Sequence, residues 1–359
     1  MARHSHEESP PNNSQHHTIS RRRMLQAMML FLSGCAVPQT QLAATPPTAT
    51  PDATVQSPHF DGAIALQHAI AQMQWVPRHP GTEGWRACGD YILSQLATLG
   101  WEAVEQPFEY QGITCRNLIG KRGNGPLLII GAHYDSRRRA DQDPDPAKRS
   151  EPVPAANDGA SGIAVLLELA RVLKPEELNR TIWLTSFDAE DNGGLDGWDW
   201  IQGSTYMAAN LTQIPQGMLL VDMIGDADQQ LYYEGNSHHR MREGVWKVAA
   251  ELGYSSFVPE QRYTMLDDHV PFVQRGIPAI DIIDFDYPYW HTTADTVDKI
   301  SAASLEAVGR TVEEWLLRGA PGMPAPQTGD IKQYLPLIAH HCGCHRRALV
   351  AQAQLEHSQ

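Results

Sequence analysis

Five short polar clusters along this chain carry side chains able to hold a metal and move protons. They are His133-Tyr134-Asp135-Ser136, Asn157-Asp158-Gly159-Ala160-Ser161, Asp188-Ala189-Glu190-Asp191, Asp222-Met223-Ile224-Gly225 and Tyr287-Pro288-Tyr289-Trp290-His291-Thr292. Together they supply two imidazoles, His133 and His291, and three carboxylates, Asp158, Asp191 and Asp222, with Glu190 adjoining Asp191. Neutral imidazole and carboxylate oxygen form an ordinary zinc shell, and a catalytic zinc keeps one position open. A free carboxyl beside such a shell can carry a proton. Read singly, each residue has a plainer explanation: a hydrogen-bonded core histidine, a helix N-cap, a turn residue. The full set in this order is what points to metal chemistry.

Short apolar runs must position these clusters. Residues 127–130, 181–187, 218–223 and 279–283 are such runs, separated by stretches of helical periodicity. That alternation predicts a mostly parallel sheet covered on both faces. The clusters then follow the strand ends, where parallel α/β sheets bind ligands. A helix is expected over 162–173, where Val165, Leu166, Leu169, Val172 and Leu173 share one stripe. Further helices are expected over 62–73, 83–99 and about 303–317, and a strand pair over 101–110 and 113–121. The fold class expected is α/β: a single domain, residues 59–318, with a mixed, mostly parallel central sheet and helices on both faces.

The chain outside that domain reads differently. Arg21-Arg22-Arg23 after Ser20, then a brief apolar stretch, resembles a twin-arginine export signal. Leu32-Ser33-Gly34-Cys35 resembles a bacterial lipobox, with cleavage before a lipidated Cys35. The expectation is therefore a bacterial protein exported through residues 1–34. It would be lipid-anchored at the outer face of the cell membrane or periplasmic. Residues 36–58, rich in Pro and Thr, read as a tether, and residues 319–359, with Cys342 and Cys344, as a flexible tail. Cys88 and Cys115 fit either a disulfide or two buried thiols. Of 359 residues, 28 are basic and 42 acidic, a net charge of −14. The leader, net +2 from four arginines and two glutamates, hides a mature chain of −16. Such acidity excludes nucleic acid as a partner. The long loop 137–154 holds Asp141, Asp143 and Asp145, but prolines interrupt a calcium pattern, so a solvated rim is expected.

The motifs His133-Tyr134-Asp135-Ser136, Asn157-Asp158-Gly159-Ala160-Ser161, Phe187-Asp188-Ala189-Glu190-Asp191, Asp267-Asp268-His269-Val270-Pro271-Phe272 and Trp290-His291-Thr292 resemble those of the zinc-dependent aminopeptidases of peptidase family M28. Within that superfamily they are similar to the animal-type glutaminyl cyclases and their bacterial relatives. In the aminopeptidases, the resemblance implies two zinc ions on His133, Asp158, Asp191, Asp222 and His291, with Asp158 bridging. In the cyclases it implies one zinc on Asp158, Asp191 and His291. Either way Glu190 is implied as proton carrier. Most relatives carry Glu at the place of Asp191, so the Asp191 loop must approach more closely.

Three features lean toward the cyclase branch, by the same resemblance. Asp267 stands where peptidases usually carry a small hydroxyl residue; with Asp222 it would hold the reacting amide. Trp290 looks like the indole wall of the cyclase pocket. The insertion 192–202 offers Trp198 and Trp200, either as pocket lining or as loop packing. The function expected is conversion of N-terminal Gln of peptides or proteins to pyroglutamate, with ammonia released, by a monomer. The alternative is a zinc aminopeptidase acting on the same N-termini. A catalytically silent ectodomain is disfavoured by the intact set of ligands.

Overall fold

Strand alternation decides which helices meet which face of the sheet. The computed structural model describes residues 57–326, and the export signal, Cys35, nearly all of the tether, Cys342 and Cys344 lie outside them. Helix α1 (Gly62–Gln72) starts at Asp61, whose carboxylate accepts from Ala63 N and Ile64 N. Helix α2 (Glu83–Thr98) starts at Thr82, which accepts from Trp85 N. Strands β1 (Glu102–Tyr110), β2 (Ile113–Gly123) and β3 (Leu127–His133) follow, then α3 (Ala160–Val172) and β4 (Thr181–Phe187). Next come α4 (Gln202–Ala209), β5 (Gly217–Asp222), β6 (Leu231–Glu234), α5 (His239–Leu252) and β7 (Phe257–Tyr263). The one-turn α6 (Val270–Val273), β8 (Ala279–Ile283) and α7 (Ala302–Leu317) complete the order.

The main sheet runs β1-β2-β4-β3-β5-β8. Its last four strands are parallel, and β1 and β2 add antiparallel edges. This is the mixed, mostly parallel sheet expected. On β3, Leu128, Ile130 and Ala132 point into one core with α1, α2, α3, α5 and α7, while Leu127 and Ile129 point into the other. That second core is capped by Met207 and Ala208 of α4 and Phe272 of α6. The period of two along a strand buried on both faces produces this division. Helix α3 is buried over Ala160–Ala170 against the sheet, as its apolar composition requires.

One boundary and one whole unit differ from expectation. Strand β3 extends through Gly131 and Ala132 to His133, because both pair with β4 across Thr185 and Ser186. The unit β6-α5-β7 was not expected at all: β6 is four residues long, and β7 is mostly exposed and polar. Helix α5 buries only Met241, Val245, Trp246, Val248 and Ala249. Neither strand offers the apolar run that marked the core strands. Cys88 and Cys115 are free, buried thiols.

Contact between α3 and the sheet depends on Gly162. A Cβ there would lie 2.6 Å from Val221 O and 2.7 Å from the Ala132 methyl carbon. Gly162→Ala should therefore destabilise the fold by about 1–3 kcal/mol through overpacking. Urea denaturation checks this; an unchanged midpoint would show that α3 can back away from the strands.

Candidate active site and metal cluster

The four parallel strands deliver the polar clusters to one edge. His133 ends β3, Asp222 ends β5, Asp191 follows β4 by four residues and His291 follows β8 by eight. Two groups of possible ligands result, His133–Asp158–Asp222 and Asp158–Asp191–His291, each buried and each with ligand atoms within 4.8 Å of one another. Asp158 belongs to both. Its Oδ1 lies 3.0 Å from His133 Nε2, and its Oδ2 lies 3.6 Å from His291 Nε2. The outer members close the set: His133 Nε2 is 3.2 Å from Asp222 Oδ1, and His291 Nε2 is 2.8 Å from Asp191 Oδ1.

Backbone amides hold these side chains in place. Glu190 N and Asp191 N donate to the two oxygens of Asp135, at 3.0 and 3.3 Å. Asn157 N and Asp158 N donate to the two oxygens of Asp295, at 2.8 and 3.1 Å, and Tyr287 OH donates to the same carboxylate. Asn157 also spans to the end of β5, donating to Met223 O and accepting from Gly225 N. The roles of Asp135 and Asp295 were missed from sequence. Asp135 lies within the His133-Tyr134-Asp135-Ser136 motif, whereas nothing in the local pattern distinguishes Asp295. Gly159 adopts φ +99, and a Cβ there would come within 3.0 Å of the His133 ring. Ala189, Met223 and His291 also have positive φ, at 55, 45 and 54. Strained non-glycine backbone thus precedes Glu190, follows Asp222 and includes His291 itself.

The electrostatics are those of an acid cluster short of cations. Burial, reinforced by Asp158, holds Asp191 well above the ordinary carboxylate range, with Arg137 and His133 opposing. Burial raises Asp222 as well, against the pull of His133. Glu190 is held well above its usual value by burial, with Asp191, Asp267 and Asp268 adding to it. Burial and the charge of Asp222 push Asp267 up to about 7. Asp158 goes the other way: burial would raise it, but His133, His291 and Arg137 together keep it low. Burial and then Arg137 lower His291 well below the ordinary imidazole, leaving it neutral and able to ligate. Burial pulls His133 down too, but the nearby carboxylates of Asp222, Asp135 and Asp158 lift it well above normal. His133 Nδ1, Asp158 Oδ2, Asp191 Oδ2 and His291 Nδ1 are buried with no hydrogen-bond partner. Orphaned nitrogen and oxygen donors amid surplus carboxylates fit a divalent cation of the zinc type.

The aromatic residues separate. Trp290 stacks on His291 with ring centroids 3.7 Å apart, and Trp200 lies parallel to the same imidazole at 5.9 Å. Trp198 is instead buried among Phe108, Cys115 and Ala189, edge-on to Tyr110 and beneath Arg138. Of the two insertion indoles, Trp200 faces the cluster and Trp198 packs its loop. The loop 137–154 is solvated over 144–151, as expected of a rim, but is fastened down at its buried residues. Arg137 forms a two-pronged pair with Asp141, buried Asp143 accepts from Thr293 N and Oγ1, and Asp145 caps Ala147 N. Each of these aspartates accepts hydrogen bonds from protein donors.

The model of peptidase family M28 matches residues 117–316. A glutaminyl-peptide cyclotransferase of Boiga irregularis is 25% identical over 293 residues, covering 67% of this chain and 77% of its own. Two solved structures are 32% identical to the chain. A Zn-dependent exopeptidase of Parabacteroides distasonis has a TM-score of 0.69, with 73% of this chain and 99% of that one covered. The glutaminyl cyclase of Tannerella forsythia has a TM-score of 0.68, with 72% and 98% covered.

Acids raised in the fold predict the pH response of metal-stripped protein. Asp188 and Asp267, raised to about 7, and Asp295, raised to about 6, keep protons that the unfolded chain loses near its ordinary carboxylate range. Folding then binds protons, so stability falls as pH rises from about 4 to 7. Raised His133 acts in the same sense at higher pH; lowered His291 opposes it through the ordinary imidazole range. The urea midpoint of chelator-treated protein should drop between pH 5 and 7.5, and a divalent cation should restore it. A midpoint that rises over that interval without metal would contradict the charge assignment.

Proposed function

Because the chain belongs to peptidase family M28, we propose that it is a zinc-dependent glutaminyl-peptide cyclotransferase, converting N-terminal Gln of peptides or proteins to pyroglutamate with release of ammonia. The observation that carries this reading is Asp267. It is a buried carboxyl raised to about 7 beside Asp222, at the same edge as the two ligand groups. Such a group can donate or accept a hydrogen bond near neutral pH, as a site must when it holds a carboxamide whose nitrogen will leave. Similarity to the Tannerella forsythia and Boiga irregularis cyclases supports the same assignment.

Asp158, Asp191 and His291 would hold one zinc ion, the donor set being oxygen and nitrogen only. Bound there, zinc supplies Lewis-acid polarisation of the γ-carboxamide carbonyl. Glu190, whose raised affinity for protons suits a shuttle, takes a proton from the α-amine as its nitrogen bonds to the carbonyl carbon. It returns that proton to the departing amide nitrogen as the carbon–nitrogen bond breaks, so ammonia leaves and no water is consumed. Attack within one residue gains from proximity, so the site need only fold the side chain back and exclude water. Trp290 and Trp200, flanking His291, provide apolar walls for that purpose.

One observation favours a second reading. His133 and Asp222 complete a group that shares Asp158, and two ions on such a set would serve an aminopeptidase. Glu190 would then take a proton from attacking water. Export and a lipid anchor at Cys35 form part of the proposal, as does a monomer acting on peptide or protein N-termini.

The purified enzyme separates these readings when offered Gln-β-naphthylamide and Leu-p-nitroanilide side by side. A cyclase releases ammonia from the first and leaves both arylamides intact; arylamine without ammonia assigns the peptidase. In either case Glu190→Gln should lower turnover by about 10²–10⁴-fold with zinc retained. Cys35→Ser should shift the protein from the membrane to the soluble fraction; a wild type already soluble removes the anchor.

A further inference from the structure

The loop 137–154 grips the segment around His291 through three consecutive residues. Asp141 Oδ1 lies 3.7 Å from His291 Nδ1, Gln142 N donates to His291 O at 3.2 Å, and Asp143 accepts from Thr293 N and Oγ1 at 2.9 and 2.7 Å. His291 has a φ of 54, a conformation that persists in a non-glycine residue only when its surroundings enforce it.

The other half of the grip is Arg137, buried and paired with both oxygens of Asp141 at 2.7 and 2.8 Å. Its Nη1 donates to Asp191 O at 3.0 Å and Gly193 O at 3.2 Å, and lies 3.9 Å from the Asp191 carboxylate. Its guanidinium also covers Trp200, whose ring lies parallel to His291. One ion pair therefore touches both unshared members of the Asp158–Asp191–His291 group.

We propose that Asp141 and Arg137 are positioning residues for this half of the site: Asp141 orients His291 through Nδ1, and Arg137 locks Asp141 while fixing the Asp191 turn. The inference rests on the zinc reading above. His291 Nδ1 has no hydrogen-bond partner although buried, and Asp141 is the carboxylate facing it. A carboxylate behind a ligating imidazole sets the tautomer and raises the basicity of the nitrogen that binds metal. His133 has the matching arrangement, with Asp135 Oδ1 3.6 Å from its Nδ1. Asp135, however, is already engaged by the Glu190 and Asp191 amides, whereas Asp141 has its Arg137 partner and is otherwise open to His291.

The test is zinc affinity of the full protein, measured by competition with a chromophoric chelator, together with the visible spectrum of the cobalt-substituted enzyme. Asp141→Asn and Asp141→Ala should each weaken zinc binding about 10–100-fold and alter the cobalt bands. Arg137→Lys, which cannot make the two-pronged contact, should fall between them and wild type. Asp141→Glu should recover part of the affinity, and Asp145→Ala, on the exposed stretch of the same loop, should match wild type. Asp141→Asn keeps the side-chain size, so it remains informative if the alanine variant misfolds. Wild-type zinc affinity and cobalt spectrum in both Asp141 variants would overturn the proposal. So would an affinity loss that merely tracks lowered stability of the metal-free protein. A wild type that binds no zinc overturns the zinc reading itself, and this inference with it.

Discussion

Asp158 turns one oxygen to each of two buried imidazoles, and much of the site's construction follows from keeping it there. Its backbone amide and that of Asn157 are held by Asp295, the next residue is a glycine because a Cβ would meet the His133 ring, and Asn157 ties the turn to the end of β5. Such a position is stable only if surrounding groups fix the carboxylate in an orientation that leaves one oxygen unpaired. Burial, with repulsion from Asp158 added, moves Asp191 and Asp222 toward protonation, while Asp158 stays ionised. The site is thus preorganised for positive charge, and a divalent ion relieves the repulsion that the fold imposes.

The cost of that arrangement is distributed over the scaffold. Positive φ at Ala189, Met223 and His291 costs on the order of 1–3 kcal/mol each. Two cores, one on each face of the sheet, offset it, the larger packing five helices against alternate residues of the central strands. Rigid strand ends then present the side chains without needing them to search for one another. Loops enter as fasteners: Asp135 fixes the turn after β4, and the 137–154 loop fixes the segment after β8.

Peptide hydrolysis and glutamine cyclisation ask nearly the same of this pocket, since both use an electrophilic metal and a proton carrier beside it. They differ in the nucleophile, water for one and the substrate's own amine for the other. Residues that shape and dry the pocket are therefore more telling than the ligands. Trp290 and Trp200 flank His291, and Asp267 adds a neutral-range carboxyl beside Asp222. An ion in the His133 half would favour water activation; without one, His133 and Asp222 are left to hydrogen-bond and to tune Asp267.

The sequence by itself determined the α/β class, the strands of the sheet and the helices α1, α2, α3 and α7, because apolar runs and helical stripes are local patterns that burial requires. It also identified the polar clusters, because their residue types stand out just after those runs. It did not reveal the short α4 and α6, nor β6 and β7, which lack an apolar run; α5 was also missed, although Met241, Val245, Trp246, Val248 and Ala249 recur at helical spacing. Only the tertiary structure decided that Asp158 faces both histidines, that Trp200 rather than Trp198 lies against His291, and that Asp141 and Asp143 fasten a segment 150 residues away. Those relations arise from strand pairing and backbone turns that bring distant residues within a few ångströms. Spacing along a chain carries no record of such distances.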